Sequence, residues 1–183
     1  MLYMDCFKID WRGFYTAAEV RNQAESSGHG VYAIYETGKG KSSTKTPKLW
    51  YVGKAKQLGN RIRQHEQELS RLGKKGNYCI GIIYFLKEGR EHSNITPVQL
   101  GNVESFLINS MKPEGNAAST KKGYYKGKPI LAINVGKMKA FDGVMCNDSN
   151  LLSLLQGNLS YKKTKSPLDK PNRKSTSSYV FLR

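Results

Sequence analysis

Residues 30–65 read GVYAIYETGKGKSSTKTPKLWYVGKAKQLGNRIRQH, and the spacing of their apolar residues decides the fold. A β-branched and aromatic run over 31–35 is interrupted by a Gly, Lys, Ser, Thr and Pro-rich connection and resumes over 49–52. Two such runs around a polar connection predict a β-hairpin with a long loop. Beyond Gly53, Leu58, Ile62, Leu69 and Leu72 recur at helical spacing, so a helix is expected from about 57 to 72. The order is strand, strand, helix.

That frame gathers side chains that packing alone does not require. Tyr32 and Tyr51 fall on the two strands, Lys54 follows a glycine at the strand exit, and Arg61 and His65 lie four apart on one helix face. Two phenols, an ammonium, a guanidinium and an imidazole converging on one anion would suit a phosphate. His65 also falls near the apolar stripe of the helix, and on spacing alone it reads as a packed core histidine.

Further on, residues 78–86 (YCIGIIYFL) are nearly continuously apolar, as in a central strand covered on both faces. Thr96 and Pro97 predict a helix start, and the helix should run to about Met111, before Pro113. Val103, Phe106, Leu107 and Met111 supply its apolar face, with Glu104 at the border; a lone helical glutamate is ordinarily a surface residue.

Gly30-Val31-Tyr32 and Tyr51-Val52-Gly53, followed by Lys54-Ala55-Lys56-Gln57-Leu58 and Arg61 and later by Glu104 and Asn116, resemble the motifs of the GIY-YIG nucleases. Each triplet differs from the family's by one Ile/Val exchange, and the likeness spans residues 30–116. It implies an α+β fold, a small three-stranded antiparallel sheet flanked by helices. An N-terminal extension over 1–29 and a C-terminal extension over 117–183 lie outside that core.

The resemblance also implies roles. Tyr32 would take a proton from water, its phenol acidified by nearby cations such as Lys54, and Tyr51 would orient the phosphate or water. Arg61 would contact the non-bridging oxygens, and His65 would assist the tyrosine or the phosphate. Glu104 would hold one divalent cation, Mg2+ with Mn2+ as a substitute, and Asn116 would fix the site by hydrogen bonds. A single carboxylate argues against a two-metal mechanism.

Charge points the same way. Thirty Lys and Arg against 14 Asp and Glu give a formal net charge of +16, a field that favours a polyanion such as DNA. Expected backbone contacts are Lys41 and Lys45 in the hairpin loop over 36–48, Arg63 on the helix, and the basic-aromatic run with Lys121, Lys122, Tyr124 and Lys126. Lys162, Lys163, Lys165, Arg173 and Lys174 would form a DNA-embracing arm. Residues 129–135 read as a further strand, and 147–156 as a short capped helix.

Around Trp11, Phe14 and Tyr15, residues 1–29 read as an aromatic anchor followed by a short helix over 16–27. Cys6, Cys79 and Cys146 form neither a disulfide framework nor a zinc pattern. With no apolar run long enough to span a bilayer and no signal-peptide order, the chain reads as soluble, cytoplasmic and free of membranes. The expected function is a Mg2+-dependent DNA endonuclease of restriction type acting on double-stranded DNA, as a homodimer if its sites are palindromic. Homing, structure-specific repair and non-catalytic nucleic-acid-binding proteins are the alternatives.

Overall fold

Strand β2 (Gly30–Thr37) is buried at six consecutive residues from its start, because it lies between two strands and has helices over both faces. The computed structural model describes residues 4–23, 28–37, 47–73, 75–117, 127–136 and 143–148. β2 pairs antiparallel with β3 (Lys48–Ala55) on one side and with β4 (Lys75–Lys87) on the other. The expected hairpin and central strand are both present.

The sheet nevertheless extends well past three strands, which corrects the small-sheet expectation. β1 (Asp5–Tyr15) pairs antiparallel with β4 along its other edge, and β6 (Ile130–Gly136) pairs parallel with β1. With β5 (Arg90–His92) on β4 and β7 (Gly143–Cys146) on β6, the result is a mixed seven-stranded sheet in an α+β fold. The order is β3-β2-β4-β1-β6-β7, so β3 is an edge.

The reason lies in the first residues. Phe7, Ile9 and Trp11 are buried while their neighbours are not, a period-two alternation that makes this stretch a strand rather than an aromatic anchor. The Trp11 indole N–H donates to Asn134 Oδ1 at 2.9 Å, which ties β1 to β6. Gly81 of β4 lies between β1 and β2: a Cβ there would come within 2.7 Å of Val31 and 3.0 Å of Trp11, so only glycine lets these side chains close over the sheet.

Two layers of helix complete the core. On one face α3 (Pro97–Met111) buries Leu100, Val103, Phe106 and Leu107 against Phe7, Ile9, Val31, Ala33 and Val52. On the other, α2 (Leu58–Arg71) and α1 (Ala17–Arg21) bury Leu58, Ile62, Leu69 and Val20 against Tyr32, Ile34, Tyr78 and Ile80. Capping boxes start α1 at Thr16 with Glu19 and α3 at Thr96 with Gln99; each satisfies backbone N–H groups that the first turn leaves free. α3 stops at Lys112, whose left-handed backbone turns the chain into Pro113.

Cys79 is a core residue, its thiol pushed up to about 11 by burial. Among the described residues no helix is long and apolar enough to cross a membrane. The expected DNA contacts at Lys41, Lys45, Lys121, Lys122, Tyr124, Lys126, Lys162, Lys163, Lys165, Arg173 and Lys174 lie outside the described residues, as does the expected 147–156 helix beyond Asp148.

Because β1 is internal to the sheet, truncating a buried side chain there should cost as much as in any core. Ile9→Ala is expected to lower the stability by about 2–5 kcal/mol in urea denaturation. A loss under about 1 kcal/mol, the usual cost of a peripheral change, would contradict the placement of β1.

Candidate active site

The side chains of β3 alternate around the edge of the sheet, and this alternation divides the expected site residues into two groups. Tyr51 and Gly53 face α2, whereas Val52 packs on the α3 side and Lys54 reaches Glu104 there.

On the α2 side Tyr32 stands directly opposite Gly53 in the β2–β3 pairing. A Cβ on residue 53 would lie 2.6 Å from Tyr32 Cζ, so the phenol fits only because position 53 carries no side chain. Its ring stacks with Tyr51 at 6.0 Å, and the His65 ring lies 4.7 Å from that of Tyr51. The Tyr32 hydroxyl is 2.8 Å from His65 Nε2. Arg61, one turn earlier on α2, interacts with both phenols and donates from Nη1 to Gln64 Oε1 at 2.8 Å. Tyr32, Tyr51, Arg61 and His65 therefore form one cluster.

The electrostatics of the cluster overturn one expectation. Burial, with the neighbouring Tyr51 oxygen, pushes the Tyr32 phenol up, and Arg61 offsets this only in part. Lys54 does not acidify it, because its ammonium pairs with Glu104 on the other side of the strand. His65 is only 3 % exposed and is held below the usual imidazole range, first by burial and then by the Arg61 charge, against the opposing pull of Glu68. It is thus both of the things its spacing and the resemblance suggested: a residue of the buried stripe and a member of the cluster.

On the α3 side Glu104 accepts from the Lys54 backbone N–H at 3.0 Å through one carboxylate oxygen and pairs with Lys54 Nζ at 3.1 Å through the other. Asn116 is buried and grips the same strand edge, its Oδ1 accepting from Val52 N and its Nδ2 donating to Val52 O, both at 2.8 Å. Its expected fixing role is therefore a pair of hydrogen bonds to β3. Arg63 points into solvent from α2. Among the described residues no group of three His, Cys, Asp or Glu side chains is placed to cage a metal. Glu104 is the one carboxylate expected to hold a cation, and in this structure both of its oxygens are engaged by Lys54.

Beside the Lys54–Glu104 pair, a cleft of about 480 Å³ is lined by His29, Lys54, Lys56, Ile95, Pro97 and Leu100. His29, Gln64 and Glu68 were not singled out from the sequence. Gln64 and Glu68 sit three residues after Arg61 and His65, a helical spacing that could have revealed them. The chain matches no protein-family model, no curated protein and no solved structure.

Two measurements follow from this geometry. Asn116→Ala removes two hydrogen bonds and leaves a buried strand edge unpaired, and should cost about 1–3 kcal/mol in denaturant unfolding. His65 should titrate by NMR below about 6.5, the value of an unperturbed imidazole. Between that value and the depressed one the unfolded chain binds more protons than the folded one, so stability falls as pH drops through this window and His65→Gln removes that slope. A midpoint at or above about 6.5 would mean that Glu68 outweighs burial.

Proposed function

We propose that this chain is a divalent-metal-dependent DNA endonuclease that hydrolyses phosphodiester bonds. The observation that carries the reading is the 2.8 Å contact between the Tyr32 hydroxyl and a buried, neutral His65, with Tyr51 and the Arg61 guanidinium against the same ring. The hydrogen bond alone would serve packing; what a protein that only binds nucleic acid does not need is the whole set Tyr32, Tyr51, Arg61 and His65 gathered in one cluster. The resemblance to the GIY-YIG nucleases assigns chemistry to the same residues, and the charge of +16 suits DNA.

The roles are assigned from the resemblance together with these contacts. A phenol with a raised pKa is a poor base alone, so Tyr32 works as a relay. As water attacks phosphorus, its proton passes to Tyr32 Oη while the Tyr32 proton passes to His65 Nε2. The new P–O bond forms as the bond to the leaving sugar oxygen breaks. Arg61, permanently charged, meets the non-bridging oxygens as charge grows on them, and the Tyr51 hydroxyl orients the phosphate. Glu104 would hold Mg2+, which when bound supplies Lewis-acid stabilisation of the phosphate and leaving oxygens. Asn116 keeps β3, and with it Tyr51, in place.

We favour sequence-specific double-strand cutting of restriction type as the form of this activity.

Purified protein on a sequenced plasmid, with and without Mg2+, tests the reading. Cutting that needs the metal, with fragment ends sharing a short motif, is expected. Glu104→Ala should abolish it while leaving DNA binding intact. Tyr32→Phe, which removes only the hydroxyl, should lower kcat by about 10²-fold or more. DNA that is shifted but uncut under every divalent ion would instead make this a binding protein.

A further inference from the structure

Glu68 takes no part in the roles above, yet its carboxylate lies 2.8 Å from His65 Nδ1, on the opposite side of the ring from Tyr32. Nδ1 is buried and has no aligned hydrogen-bond partner. The groups facing the ring are the Tyr32 and Tyr51 phenols from β2 and β3 and Arg61 and Glu68 from α2 itself.

A neutral imidazole has one N–H and one lone pair, and these surroundings choose between its tautomers. With the proton on Nε2, the bare Nδ1 would face a carboxylate oxygen at 2.8 Å, two acceptors in repulsive contact. With the proton on Nδ1, the N–H faces the carboxylate and Nε2 is free to accept from the Tyr32 hydroxyl. Only the second arrangement satisfies both sides of the ring. The Glu68 side chain is about half exposed, so a small rotation can align it without disturbing the core.

We propose that Glu68 is a positioning residue: it holds His65 in the Nδ1–H tautomer, so that Nε2 accepts the Tyr32 proton, and it stabilises the imidazolium that results. The catalytic consequence rests on the nuclease reading; the tautomer assignment does not. In the step concerned, one proton moves from water to Tyr32 Oη and one from Tyr32 Oη to Nε2. His65 ends positively charged beside the Glu68 carboxylate, and the proton returns to solvent after product leaves. With Glu68 rotated into line, both ring nitrogens keep a partner through the step.

The test uses the full chain with Glu68→Ala and Glu68→Gln. Ring-nitrogen NMR at pH 8, with His65 assigned through His65→Gln, reads the tautomer, and plasmid cutting across pH reads the relay. Wild type should show Nδ1 protonated and Nε2 bare. Glu68→Ala should populate the Nε2–H form and lower kcat on the order of tenfold or more with KM little changed. Its acidic limb should also move to lower pH, since the carboxylate that favours the imidazolium is gone. Glu68→Gln, whose amide oxygen still accepts from Nδ1–H, should keep the tautomer and recover part of kcat. Unchanged nitrogen shifts and an unchanged pH profile in Glu68→Ala would overturn the proposal. If wild type cuts no DNA while the shifts change as described, the nuclease reading fails and the positioning of His65 stands.

Discussion

A tyrosine hydroxyl inside a protein must find a partner, and the structure around β2 is arranged to give one to Tyr32. Leaving such a group buried and unbonded costs about 1–3 kcal/mol, a large share of a small domain's stability. The partner is His65, so α2 must dock with that turn above β2 and in no other register. The ring in turn needs the space over residue 53, which a side chain there would fill. Helix register, strand pairing and the glycine thus answer to one phenol, and the packing that satisfies it also assembles the cluster with Tyr51 and Arg61.

β3 imposes the second constraint. As an edge strand it has backbone groups with no strand to pair with, a liability that folds cover in various ways. Here Asn116 takes both groups of Val52, and Glu104 takes the N–H of Lys54. Glu104 therefore has a structural task whether or not it holds a cation. Among the described residues its second oxygen meets the ammonium of Lys54, which is 40 % exposed on a long stem. A divalent cation at this oxygen would have to displace that ammonium, while the backbone bond through the other oxygen could remain. Lys54, expected beside Tyr32, would be the counter-charge of the metal ligand instead.

The hairpin, β4, α2 and α3 were legible in the sequence because each obeys a single period: near-continuous apolar residues in β4, the stripe 58, 62, 65, 69 in α2, and the Thr96-Pro97 start of α3. β1 was missed although Phe7, Ile9 and Trp11 alternate cleanly. Its bulky aromatics fit an anchor equally well, and a strand's place inside a sheet depends on pairings with residues some 70 and 120 positions away. No local period reports that. Site residues were legible as a set but not in their grouping. Strand alternation puts Lys54 on the opposite face from Tyr51, three residues earlier, and counting along β3 would have separated them. The raised phenol of Tyr32 was out of reach, since it comes from burial under two helices and a neighbouring strand.

Arg61 and His65 show why the cluster needs two kinds of basic group one helical turn apart. Arginine stays charged under all ordinary conditions and so can meet a phosphate but cannot take up a proton. Histidine can take a proton only while neutral, and here the guanidinium itself helps keep it so, adding to the effect of burial. The same charge that would bind the substrate thus readies the base. Glu68 supplies the opposite influence at the far side of the ring, favouring the imidazolium once a proton has arrived. On the nuclease reading, these opposing influences would keep the imidazole neutral until the proton of Tyr32 arrives and stabilise it afterwards.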